Sequence, residues 1–196
     1  MGLKLTKEVG VDQIPIFQKE FEVAQSGFKL VTTGLPEGEI VTPGTPVGFD
    51  EETREGTVLK TAVVYENATD TATAIKVKKG HFLQVGENVA FSVGGAAYSI
   101  SAIDTSNADY DELTIGTTLG VALTSGDVLF KSSASGASAA ALHITPKGLL
   151  FDNVKIEDNV SLAVVLRGTV YKKRIANGIP ADVEAELPLI VFSESY

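Results

Sequence analysis

The chain has 196 residues, 44% of them hydrophobic, a formal net charge of −9 and no cysteine. The missing cysteines exclude disulfides, thiolate metal sites and cysteine nucleophiles. The acidic balance argues against coating a phosphate backbone, which calls for clustered Lys and Arg.

The first stretch, from Leu3 to about Leu30, spreads apolar residues at Val9, Val11, Ile14, Ile16, Phe17, Phe21 and Val23. Val9/Val11 and Ile14/Ile16 repeat with period two, while Phe17/Phe21 also fits a helix. The expectation is an extended arm leading into a strand. Leu35 to Val47 follows with Pro-Glu-Gly and Pro-Gly turns, because proline presets φ and glycine accepts positive φ. Ile40-Val41 and Val47 read as short strands between those turns, and Thr57 to Tyr65 reads as one good strand.

The middle, from about Glu66 to Ser138, has its own texture. Ala74 to Val77, Val89 to Phe91, Tyr98 to Ile103, Leu113 to Ile115 and Val128 to Phe130 are strand candidates. Tyr98 to Ile103 alternates strictly, as a half-buried strand does. Gln84 to Phe91 and Thr124 to Phe130 resemble each other, each placing a glycine and an acid before a strand. Two instances do not make a repeat architecture, but they predict a compact barrel-like module with similar turns. Lys131 to Ala141 is small and polar, which reads as a linker or loop closing that module.

The last part returns to strands. Val154 to Ile156 is short, and Leu162 to Val170 is nearly all apolar until Arg167, the pattern of a buried strand. Pro180 to Leu187 fits one helical piece, with proline in the first turn and acids at the positive end of the dipole. Pro188 ends it, and Leu189 to Phe192 is a final strand. The fold class expected is mainly β: a small barrel- or sandwich-like base from 1–65 plus 139–196, with an inserted β-barrel-like module at 66–138 and a short C-terminal helix.

Candidate chemistry is sparse. His81 and His143 lie far apart and outside any metal-spacing motif, so His81, in a polar turn, reads as a structural or surface residue, and His143 as a tolerated strand histidine. Asp104, Asp109, Asp111 and Glu112 could ligate calcium by their oxygens, but their spacing is not that of an EF-hand, and a solvated loop is the better reading. Glu184 and Glu186 read as helix-end charge rather than a catalytic pair. The sequence carries no G-x-S-x-G, P-loop, H-E-x-x-H or G-x-G-x-x-G pattern, and no cofactor, metal site or enzymatic activity is expected. Asn67-Ala68-Thr69 and Asn159-Val160-Ser161 match glycosylation sequons. The start, Met1-Gly2-Leu3-Lys4, lacks the apolar core of a signal peptide. No run reaches the roughly 18 apolar residues that span a bilayer. A soluble protein made in cytoplasm, with no nucleic-acid or membrane partner, is therefore expected. Lys172-Lys173-Arg174 is the one compact basic run, suited to an acidic partner surface.

Gly148 to Val154, Ala163 to Val170, Arg174-Ile175-Ala176 and Pro180 to Phe192 together resemble the C-terminal part of tailed-phage head decoration proteins, with their V-V-L-x-G-x-V strand. Gly38 to Gly48 is similar to that family's G-x-V-V-x-x-G-T-P-V-G opening. Lys79 to Glu87 and Ile100 to Asp111 resemble a module of phage structural proteins. The likeness touches about two thirds of the chain. It implies a small β fold, often a homotrimer, bound to the major capsid protein on the outside of a mature head and stapling neighbouring capsomers against internal DNA pressure. The place implied is the virion surface, after synthesis in a bacterial host, with 66–138 as an outward domain. Residues 3–16 could add main chain to main chain onto a capsid sheet edge. The candidate capsid contacts are thus Leu3, Leu5, Val9, Val11, Ile14, Ile16, Lys172, Lys173 and Arg174. The competing reading is a carbohydrate- or receptor-binding β module of a phage tail or surface structure, against which the absence of tryptophan counts.

Overall fold

In the computed structural model, which describes residues 15–195, strand dominates and one short α-helix is present. In chain order the described strands are β1 (Phe17–Leu30), β2 (Ile40–Val41), β3 (Pro46–Asp50), β4 (Glu55–Val58), β5 (Thr61–Val63), β6 (Ala74–Lys78) and β7 (Asn88–Ala90). They continue with β8 (Ala97–Asp104), β9 (Tyr110–Ile115), β10 (Val128–Ser132), β11 (Gly148–Leu150), β12 (Val154–Lys155), β13 (Ser161–Tyr171) and β14 (Ile190–Ser193). The helix is α1 (Ala181–Glu186), entered through Pro180. The mainly-β class expected from composition and turn chemistry is the class observed.

One sheet runs β1-β4-β3-β11-β13-β14, and a further β1–β13 pairing closes its first five strands into a barrel. β14 adds parallel to β13 outside that ring. The second sheet runs β5-β10-β7-β8-β9-β6, and a bridge from Val64 to Val77 brings its two ends together. Its strands come from 61–132, whereas the first sheet takes its strands from 17–58 and 148–193.

β13 is apolar on both faces from Leu162 to Val165, where both faces are covered. Leu162 and Val164 join Phe28, Leu30, Val47, Val58 and Leu150 inside the barrel. Val165 and Val170 pack outward under α1 against Leu59, Ile175, Val183, Leu187 and Ile190. Each such aliphatic side chain contributes about 1.5–3 kcal/mol by burial. The second barrel has its own core around Ile75, Val77, Val89, Ile100, Leu113 and Leu129.

Three local readings are corrected, and a fourth is made more specific. Thr57 to Tyr65 is not one strand: β4 ends at Val58, β5 starts at Thr61, and Leu59-Lys60 carry the chain from one sheet to the other. Both linking residues are buried, which is why the segment looks continuously strand-like. The alternation of Tyr98 to Ile103 is broken by a register shift between Ile100 and Ala102, so Ser101 and Ala102 are both exposed. Lys131 to Ala141 is, past the end of β10 at Ser132, a loop as expected, and it is held by main-chain bonds. Ala97 and Gly136 exchange both backbone hydrogen bonds, and Ala140 bonds to Gly94 and Gly95. Its small side chains let main chain lie against main chain, and Ala140 is buried with Ala90, Ala97 and Phe130. His143, finally, sits in a bend rather than in a strand.

The resemblance between Gln84 to Phe91 and Thr124 to Phe130 is structural as well. In the first turn Glu87 N–H donates to Gln84 O while Gln84 N–H donates to Glu87 Oε2. In the second, Asp127 N–H donates to Thr124 O while Thr124 N–H donates to Asp127 Oδ2. Gly86 and Gly126 take φ of 89° and 99° at the same turn position, where a Cβ is unfavourable. The two turns feed β7 and β10, which pair antiparallel.

Candidate interaction surface

Leu3, Leu5, Val9, Val11 and Ile14 lie outside the described residues. Ile16 is described: it is half-buried against the cluster under α1, and its carbonyl accepts the Tyr171 N–H at 2.8 Å. Lys172, Lys173 and Arg174 form a single 3-10 turn directly after β13. Arg174 Nη1 donates to Pro15 O at 2.8 Å, and its guanidinium lies 4.0 Å from the Tyr171 ring centroid. Residues 15–16 and 172–174, far apart in sequence, are therefore joined at one end of the base barrel. Lys172 Nζ lies 2.5 Å from Glu184 Oε1 and 3.5 Å from Glu194 Oε1. Burial alone depresses the Lys172 amine, but these two carboxylates outweigh it and hold its pKa above the ordinary lysine value. Glu184 thus serves as the partner of Lys172.

Beside this point lies a face that sequence reading missed. Lys19 pairs with Thr169, and Thr169 with Val191, so the three share one side of the β1-β13-β14 ribbon. Phe21 falls at a register shift between Glu20 and Glu22, and both Lys19 and Arg167 lie over its ring. Phe21, Leu189 and Val191 are 59%, 59% and 60% exposed, the highest values among the exposed large apolar residues apart from Val85. Leu189 to Phe192 are all apolar, so composition does not tell one face of this strand from the other. Only its alternation, with Ile190 inward, separates the outward Leu189 and Val191.

The joint between the barrels is polar at its centre. Lys60 Nζ donates to Glu87 Oε1 at 2.5 Å and to Gly34 O at 2.6 Å, and Lys131 Nζ donates to the same Glu87 oxygen at 2.9 Å. Burial pushes the Lys60 pKa down. Burial would raise that of Glu87, but the two lysine hydrogen bonds reverse the sign and hold it below the usual carboxylate value. His143 Nδ1 lies 3.3 Å from Lys131 O, and burial beside Lys131 depresses its pKa to about 4. Phe82 crosses from the second unit into the base core. Val93 N–H donates to Asp182 Oδ2, and Asn177 Nδ2 donates to Gly80 O. A cleft of about 570 Å³ remains, lined by Val63, Phe91 and Val128 on one side and Lys172, Arg174 and Ile179 on the other.

His81 is buried rather than at the surface. Its Nδ1 accepts the Leu83 N–H, which places the ring proton on Nε2, 3.4 Å from Asp111 Oδ2. Burial is the larger influence and lowers its pKa despite Asp111. Asp111 also accepts from Lys79. Of the four acids in the calcium comparison, Asp104, Asp111 and Glu112 belong to β8 and β9, and Asp104 accepts the Ser106 N–H. Among the described residues no group of three or more His, Asp or Glu is placed to hold a metal ion.

Comparison with family models, curated proteins and solved structures returns no match for this chain.

Proposed function

We propose that this chain is a non-enzymatic structural protein of a phage virion that binds the outer surface of the mature head and stabilises or decorates it. In this reading it assembles as a homotrimer on the major capsid protein, and the second barrel faces outward. The observation that carries the reading is the joining of Pro15-Ile16 to Tyr171 and Arg174. It brings Pro15 and Ile16 against the compact basic run at one end of the base. Repetition over a lattice makes a modest contact sufficient, because avidity multiplies weak sites. An extended arm can add to an exposed sheet edge through its main chain.

The test is co-sedimentation of the purified protein with expanded empty heads, using the full chain and a chain lacking residues 1–14. The full chain is expected to pellet with heads, and the shortened chain to stay in solution with unchanged circular dichroism. A shortened chain that pellets equally refutes the arm as the contact, and a full chain that ignores heads refutes the reading.

A second reading, a carbohydrate-binding β module, is favoured by one feature. Tyr65 and Tyr110 lie 5.2 Å apart between ring centroids on the outside of the second barrel, with Lys76 over Tyr110 and paired to Glu66. A glycan-array screen with the full chain tests it.

A further inference from the structure

Among the described residues the ribbon β1-β13-β14 has two open sides. β14 pairs only with β13, so its outer edge has no partner among the described residues. The N-terminal half of β1 pairs only with β13 as well, since β4 meets β1 only at Lys29 and Leu30. Gln18 to Glu22 are all exposed. The two open edges stand at the same height, because Lys19, Thr169 and Val191 form one row across the ribbon.

Strand direction makes the edges complementary. β13 runs antiparallel to β1 and parallel to β14, so β14 and β1 point in opposite directions. Laying the β14 edge of one molecule beside the β1 edge of a second therefore creates an antiparallel pair, the stronger of the two ladders. Both strands carry exposed apolar groups: Phe21 on β1, and Val191 and the preceding Leu189 at β14. All lie on one face of the ribbon, so the junction would set Phe21 of one copy beside Leu189 and Val191 of the next as cross-strand neighbours. Charge disfavours one alternative, the pairing of two β1 edges. The β1 edge carries Lys19, Glu20 and Glu22, whereas β14 carries no charged residue. A charged edge resists indiscriminate self-pairing, and a short uncharged edge accepts a partner.

We propose that a second copy of this chain docks here, the β14 edge of each molecule pairing with the Gln18–Glu22 edge of its neighbour. The interface is heterologous: two different surfaces meet, and each molecule offers one of each. Such a contact propagates head to tail and closes into a ring when the rotation per copy divides a full turn. The proposal concerns copies of this chain alone and needs no phage head.

The experiment is light scattering on the full chain over a hundredfold concentration range, with the variants Phe21→Glu and Val191→Lys. Both sites are more than half exposed, so neither substitution enters a core, and circular dichroism checks that each variant folds. The wild type is expected as a discrete oligomer and each variant alone as a monomer. Mixing the two variants is expected to restore association. The Phe21→Glu chain keeps its β14 edge and the Val191→Lys chain keeps its β1 edge, so one sound interface can form between them. A monomeric wild type overturns the proposal, as does an oligomer that survives both substitutions. An oligomer abolished by removing residues 1–14, with both edges intact, also overturns it, because the arm rather than the edges would then hold the copies together.

Discussion

Lys60 Nζ and Glu87 Oε1 meet at 2.5 Å where the chain passes from the first barrel to the second. The lysine side chain is 3% exposed and the glutamate 14%, so water screens the pair little. Removing one partner of a buried pair leaves the other charge uncompensated, and Lys131 adds a second ammonium. Glu87→Gln should therefore destabilise the protein by about 3 kcal/mol or more, read as a lower urea midpoint. Adding Lys60→Met should recover part of that loss. A double variant no better than the single one would mean that the carboxylate acts through its turn hydrogen bond to Gln84 instead.

Acid should weaken the fold before its carboxylates titrate. Folded His143 titrates at about 4, against an ordinary value of 6.5. Between those values the unfolded chain takes up a proton that the folded chain refuses. Its contribution is therefore complete above 6.5 and is lost as pH falls towards 4. His81 is shifted in the same direction by burial. The melting temperature should drop between about pH 7 and about pH 5, and His143→Gln should flatten part of that slope. An unaltered slope would show that His143 contributes nothing to it.

The paired turns offer a comparison within one molecule. A Cβ at Gly86 or at Gly126 meets no atom within 4 Å, so only the positive φ opposes a side chain. Gly86→Ala and Gly126→Ala should each cost about 1–2 kcal/mol, equal within error in chemical denaturation. Clearly unequal costs would mean that the turns are not equivalent.

Gly178 differs because it is crowded as well as left-handed, with φ of 68°. A Cβ there would stand 2.5 Å from Val128 Cγ2 and 3.1 Å from Val63 Cγ2, both on the second barrel. Gly178→Ala should cost more than either turn variant, about 3 kcal/mol by strain and overpacking together. It should also raise protease sensitivity near Leu59 and Lys60 by loosening the joint. A cost no larger than that of Gly86→Ala would show that the joint yields freely.

Much of the fold was legible because local physics produced it. Proline and glycine marked the turns around Ile40, and Gly86 and Gly126 announced twin turns through their neighbours. The unbroken apolar run of β13 implied burial on both faces. Pro180 and Pro188 bracketed the helix. The candidate surface was legible only in part. Lys172 to Arg174 stood out by charge, but nothing in the order of residues tied them to Ile16.

By itself, the sequence determined which segments extend, where they turn, and that no thiol chemistry is available. These follow from φ preferences, side-chain period and composition, which act over a few residues. Only the tertiary structure decided that Thr57 to Tyr65 divides between two barrels, that Lys60 and Lys131 share one carboxylate, and that Phe21 and Val191 lie on one exposed face. Each of those relations depends on register between strands far apart in the chain. Register is settled by the packing of whole faces, not by any residue alone.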